Sequence, residues 1–182
     1  MLGGLSAAVG ELRARSVPHA LIGAAAMAGR GVMRATDDVD LLVTDRAVLR
    51  AEFWKALTDQ GFTAAVRLGD DEDPLAGVVR LVREPDRALD VVVGKQAWQS
   101  DVIQRAEPHR VGSVEVGLVL ASDLVLLKLF AGAQQDLLDA SALLEAGDRR
   151  KLEAAVDAQI GRLPSHAREA WRGLARGHGT SL

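Results

Sequence analysis

Asp38 and Asp40 stand two residues apart in RATDDVDLLV, at the head of an apolar run, and a third carboxylate, Asp90, stands at the mouth of another such run, ALDVVVG. Side chains of a strand alternate between its faces, so Asp38 and Asp40 project together while Val39 faces the other way. Two like charges held that close are costly. A cation between them is the best relief, and hard divalent ions such as Mg²⁺ choose carboxylate oxygens. Three carboxylates on neighbouring strand ends suit a two-metal site for phosphoryl or nucleotidyl transfer. A plainer reading makes Asp38 and Asp40 a surface strand edge, where Asp is common. It fits VDLLV poorly, because that run reads as a central buried strand in which an unpartnered carboxylate is expensive. Asp90 has a plain reading too, a residue closing the EPDR turn and paired with Arg87.

Other charged and aromatic residues divide between chemistry and packing. Arg34, just upstream of Thr36 and the Asp pair, has a planar fork suited to a phosphate tail, or is an exposed loop residue. Lys128 lies in LVLLKLF, apolar on nearly every helical face, so its ammonium must find an anion or reach a wet cleft. Asp136 or Asp139 on the following helix would serve, docking the two helices together. Asp70, Asp71, Glu72 and Asp73 form a like-charged run, which reads as a solvated loop rather than a metal site. Trp54, Trp98 and Trp171 each fall on an expected amphipathic helix, where core packing outweighs base stacking.

Composition narrows the classes. A chain of 182 residues, 48% hydrophobic, can bury one good core and a small helical appendage. It has no Cys, which excludes disulfides, thiolate metal sites and a Cys nucleophile. His19, His109, His166 and His178 show no metal-binding spacing, so carboxylates are the ligands to consider. The start, MLGGLSAAVGELRARS, does not read as a signal peptide, and VGLVLASDLVLLKLFAGA carries Asp123 and Lys128 inside it, unlike a membrane span. A cytoplasmic protein is expected. The net charge of −3 provides no overall basic field for a long nucleic acid, though it leaves room for local patches.

The elements that must position these residues follow from periodicity. LSAAVGELRARS reads as an amphipathic helix, PHALIG as a short buried strand, and AAAMAGRG as a short helix ending at Gly29 or Gly31. VDLLV is the carboxylate-bearing strand. Asp45 caps AVLRAEFWKALTDQ, expected as one helix that Gly61 stops. FTAAVRL, GVVRLVR and ALDVVVG read as strands, the last two joined by the EPDR turn of a hairpin. KQAWQSDVIQRA reads as a helix, HRVGSVEVGLV as one or two short strands, and the remainder as four helices. The expected fold is α/β, or α+β: a mixed sheet flanked by helices over residues 1–120, then a helical C-terminal region over 121–182 packed on it as a single compact unit.

The segment IGAAAMAGRGVMRATDDVDLLV, with LLKLFAGAQQDLLDASALL further on, resembles the nucleotidyltransferase superfamily, and most closely its small bacterial AbiEii-toxin-like and minimal members. The resemblance implies a nucleotidyltransferase fold and a Mg²⁺-dependent transfer of an NMP from a nucleoside triphosphate to a hydroxyl. It implies Asp38, Asp40 and Asp90 as metal ligands for two ions, with Asp90 also taking the hydroxyl proton. Gly23, Ala24, Arg34, Thr36 and Lys128 would face the nucleotide, and Asp136 and Asp139 would support from behind. The acceptor it leaves open: tRNA, a protein hydroxyl or an aminoglycoside-like small molecule. Ala24 stands where the family has Gly or Ser, and Gln135 where relatives often carry a basic residue. Both suit an alternative, a catalytically weak nucleotidyltransferase-like module that partners an antitoxin or another protein.

Overall fold

The computed structural model describes residues 3–34 and 38–176. In chain order its elements are α1 (Gly3–Ala14), β1 (His19–Ile22), α2 (Gly23–Gly29), β2 (Val39–Val43), two 3₁₀ turns (Arg46–Leu49 and Ala51–Trp54), α3 (Lys55–Thr58), β3 (Thr63–Leu68), β4 (Leu75–Val82) and β5 (Leu89–Gly94). Then follow α4 (Ala97–Gln104), β6 (Glu107–Val111), β7 (Val114–Leu118), α5 (Ala121–Ala131), α6 (Gln134–Ala146), α7 (Arg149–Asp157), a third 3₁₀ turn (Ile160–Arg162) and α8 (Ser165–Arg176). Seven strands make one mixed sheet in the order β3-β4-β5-β2-β1-β7-β6. β2 runs parallel to β5 and β1 parallel to β7, and the other pairs are antiparallel.

Alternation along these strands sorts apolar from charged residues. Val39, Leu41 and Val43 pair with Leu89, Val91 and Val93, and Val79 and Leu81 continue that face on β4; all eight are buried. β-branched side chains suit such a pleated, covered surface. The opposite face carries Asp40 and Asp90, with Arg80 and Val78 beside them on β4 and Ala65 and Arg67 beyond on β3. The hairpin from β4 to β5 turns at a cis Glu84–Pro85 bond, and Arg83 is ion-paired to Asp86 across the turn at 3.0 Å. Trp54, Trp98 and Trp171 are all buried, as packing residues should be.

Residues 46–58 depart from the single expected helix. Asp45 does cap its start, accepting from the Ala47 N–H at 2.8 Å, but Arg50 is extended and the segment breaks into two 3₁₀ turns and the single turn of α3. The fully buried Trp54 explains the break. Its indole N–H donates to the Val48 carbonyl at 2.7 Å, an acceptor that a continuous helix would spend on the backbone four residues on.

Met1–Ala26 and Arg34–Val119 form one compact unit, which holds the whole sheet; Met27–Met33 and Leu120–Leu182 form a second, largely helical one. In the second unit α5 ends at Gly132, in the left-handed conformation that glycine adopts without strain (φ 73°), and α6 follows at once. Lys128 donates to Asp136 at 2.8 Å and to Asp139 at 2.7 Å, with side chains only 13%, 19% and 5% exposed. Asp136 also accepts from the Ala133 N–H at the start of α6, and Asp139 from Gln135. Among the described residues no helix is long and apolar enough to cross a membrane.

The docking of α5 on α6 is open to a direct test. Lys128→Met keeps the apolar stem and strands two carboxylates, which should lower unfolding free energy by about 3 to 5 kcal/mol in denaturant titration. Unchanged stability would show that the ion triad does not hold the helices together.

Candidate active site

The carboxylates meet where β1, β2 and β5 lie side by side. Asp40 and Asp90 are directly opposite on parallel neighbours, so their Cα atoms are about 4.8 Å apart, one strand spacing. Asp38, one residue before β2, points to the same face. Gly23 turns the chain from β1 straight into α2 with φ 65°, and a Cβ there would collide with Asp40 Oδ2 and reach its Cγ at 2.8 Å. Only glycine gives the Asp40 carboxylate its room. Ala24 is buried beside it, without the hydroxyl that a serine would bring. Arg34 is exposed, and Thr36 lies outside the described residues.

Arg80 completes the cluster. Its guanidinium donates to Asp90 Oδ2 and to Asp38 Oδ1, each at 2.9 Å, bridging two of the three carboxylates. Asp90 therefore pairs with Arg80, and not with Arg87 as the plainer reading of the turn had it. The reason is register: Arg80 is the residue opposite Asp90 across the antiparallel β4–β5 ladder. A signal for it lay in the sequence, because a hairpin centred on Pro85 sets position 80 against position 90.

Charge and burial act on Asp90 in opposite senses. Burial raises its carboxyl above the ordinary value of 3.8, with a further push from Asp38, while Arg80 and Arg67 pull it down. Its Oδ1 is buried with no hydrogen-bond partner, whereas Oδ2 is held by Arg80. Arg80 is held above its usual range, chiefly by its hydrogen bond to Asp38 and then by the charge of Asp90. Among the described residues no three or more His, Cys, Asp or Glu are drawn together as a ready-made metal cage. Arg80 spans the carboxylates instead. The residue types still suit a hard divalent cation: Asp38, Asp40 and Asp90 share one face of the sheet, and one buried oxygen of Asp90 is unsatisfied.

Lys128, Asp136 and Asp139 form a cluster of their own in the helical unit, where both carboxylates saturate the ammonium. The acidic run 70–73 is a hydrogen-bonded loop. Asp70 accepts from the Glu72 and Asp73 N–H groups, and Lys95 donates to the Asp70 and Asp73 carbonyls. Two residues went unremarked in the sequence, Arg80 and Arg67. Arg67 reaches this face only through the β3–β4 register, which no local signal encodes.

No family model matches the chain, and no curated protein sequence does. Solved structures do resemble it. The solution structure of the antibiotic-resistance factor ANT(2'')-Ia shares 15% identity over 97% of this chain and 96% of its own, with a TM-score of 0.56. A crystal structure of ANT(2'')-Ia in complex with adenylyl-2''-tobramycin shares 15% over 85% and 93%, with a TM-score of 0.54. The lincomycin-bound lincosamide adenylyltransferase LnuA shares 12% over 81% and 98%, with a TM-score of 0.51. The fold is thus that of the nucleotidyltransferases, as the sequence motifs led us to expect.

Two outcomes follow from this geometry. Gly23→Ala forces a left-handed backbone on a residue with a Cβ and drives that Cβ into Asp40, so it should cost more than about 1 kcal/mol in chemical denaturation. A protein that tolerates it without loss would disprove the packing of Gly23 on Asp40. Asp90 is protonated more readily when folded than when unfolded, so its contribution is present below pH 3.8 and is lost as pH rises through its raised range. Asp90→Asn should flatten the stability profile just above pH 3.8, measured as denaturation midpoint against pH.

Proposed function

We propose that this chain is a metal-dependent nucleotidyltransferase that moves an NMP from a nucleoside triphosphate to a hydroxyl acceptor and releases pyrophosphate. The observation that carries the reading is the pairing of Asp40 with Asp90 on adjacent central strands, with Asp38 on the same face, in a protein of this fold. Asp38, Asp40 and Asp90 would hold Mg²⁺. When bound, the ion would neutralise phosphate charge and lower the pKa of the attacking hydroxyl. Asp90 accepts the hydroxyl proton as the oxygen bonds to the α-phosphorus and the bond to pyrophosphate breaks. Gly23 and Ala24 would line the phosphate side, with Arg34 and, by its place in the sequence, Thr36 as further contacts for the nucleotide.

For the acceptor, the structural neighbours suggest a hydroxylated small molecule, since their complexes hold adenylylated tobramycin and lincomycin. The toxin-like resemblance suggests tRNA or a protein hydroxyl. Incubation with radiolabelled triphosphates, Mg²⁺ and total cell extract separates these by the size of what becomes labelled. Lys128 belongs to this reading as the tie between α5 and α6, and a second role toward phosphate would appear as lost nucleotide-induced stabilisation in Lys128→Met.

The second reading, a catalytically weak module that binds a protein partner, is favoured by Arg80. With its own guanidinium across Asp38 and Asp90, the chain needs no metal to relieve those carboxylates.

Thermal shift with Mg²⁺ and each of the common triphosphates tells the two apart: saturating a site at 100 times its Kd adds about 2.7 kcal/mol of stability. No stabilisation by any of them leaves the module. Asp38→Ala and Asp40→Ala should each abolish transfer with the fold intact, and full activity in either would overturn the metal-site reading. Arg80→Met should destabilise the ligand-free protein and enlarge the rise in melting temperature on adding Mg²⁺, since cation and guanidinium compete for the same oxygens. An unchanged response to Mg²⁺ would show that no such competition exists.

A further inference from the structure

Beside Asp90 the sheet face opens into a groove of about 390 Å³ lined by Ala65, Val66, Arg67, Val78, Arg80 and Asp90. Strand order gives this groove its direction. Gly23 follows β1 on one side of the β2–β5 pair, whereas β4 and β3 lie on the other, so the groove is on the side of Asp90 away from Gly23. If the triphosphate lies along Gly23 and Asp40, the groove receives the molecule whose hydroxyl meets Asp90. Its charge is unusual for a surface beside three carboxylates. Asp90 is the one acidic group among its lining residues, and Arg80 already pairs with it and with Asp38. That leaves Arg67, exposed, two residues along the ladder and one strand beyond Arg80, with no hydrogen bond or ion pair among the described residues. Ala65, Val66 and Val78 offer only carbon surface between them.

We infer that this groove binds the acceptor, and that the acceptor carries an anionic group, a phosphate or carboxylate, which Arg67 holds while the carbon backbone crosses Val78 and the hydroxyl faces Asp90. The inference rests on the transferase reading and narrows its substrate class. A guanidinium that acts on Asp90 only through its charge, with no hydrogen bond or ion pair among the described residues, offers a bidentate site to such an anion, and it opposes a polycation. A cation entering between Asp38 and Asp90 would displace Arg80 toward the same groove and add a second guanidinium to it.

The test is calorimetric titration of the whole protein with three probes: glycerol 3-phosphate, a short oligoribonucleotide and the polycationic tobramycin. Glycerol 3-phosphate should bind saturably, and Arg67→Gln should weaken it by about tenfold or more, as removal of one charge-assisted contact does. Arg67→Lys should keep part of the binding, and both variants should melt at the ligand-free temperature of the parent, since Arg67 is exposed on the edge strand β3. If only the oligoribonucleotide binds, with the same dependence on Arg67, the anion is a phosphodiester and the inference stands. Tobramycin binding more tightly than both phosphates, binding of either phosphate that ignores Arg67, or no binding of either phosphate overturns it. Nucleotide-induced stabilisation of the parent protein, read in parallel, keeps the two readings apart. Stabilisation without an Arg67-dependent anion removes the acceptor inference alone. Its absence removes the transferase reading.

Discussion

Carboxylates cannot sit on a central strand without a cation, and that constraint organises the sheet unit. β2 is the middle strand of seven, so Asp40 and the adjoining Asp38 are flanked by paired strands rather than by open water. β5 sets Asp90 directly against Asp40. Charge of one sign gathered in this way raises the energy of the fold unless something positive stands close by. In the ligand-free protein that role falls to Arg80, whose planar head spans two of the three groups. The partly exposed guanidinium keeps contact with solvent, so the pair avoids the full desolvation cost of a buried ion pair and remains displaceable.

The backbone answers to the same demand. Gly23 has a left-handed conformation at the end of β1, and the absence of its Cβ is what lets the Asp40 carboxylate fit. Strand pairing, a left-handed glycine turn and the placing of a carboxylate are thus one problem with one solution. The helical unit meets a similar problem by other means. Lys128, on a helix with hardly a polar face, is matched by two carboxylates of the next helix, one of which also caps that helix. There the ions are shielded from water; at the sheet the guanidinium of Arg80 stays partly exposed.

Much of this was legible in the sequence because it is written in local signals. Period-two alternation marked the strands, Asp45 marked a helical start, and the DDVDLLV run placed two carboxylates at the head of a buried strand. The nucleotidyltransferase fold followed from those signals together with the motif resemblance, and the structure places Asp40 opposite Asp90. The expected helix over residues 47–60 failed for a tertiary reason: Trp54 is buried, and its indole needs the Val48 carbonyl, a contact that outweighs local propensity.

What the sequence determined by itself, then, is which segments form strands and helices and which side chains share a face, because both follow from a repeat of two or 3.6 residues within one segment. What only the tertiary structure decided is which face meets which neighbour. The register of β2 on β5 sets Asp40 against Asp90, and the register of β3 on β4 brings Arg67 to the groove beside them. The side chain that Gly23 lacks matters only because Asp40 lies beside it. Pairings of this kind depend on loop closure and on the packing of residues far apart in the chain, and no single stretch of sequence carries them.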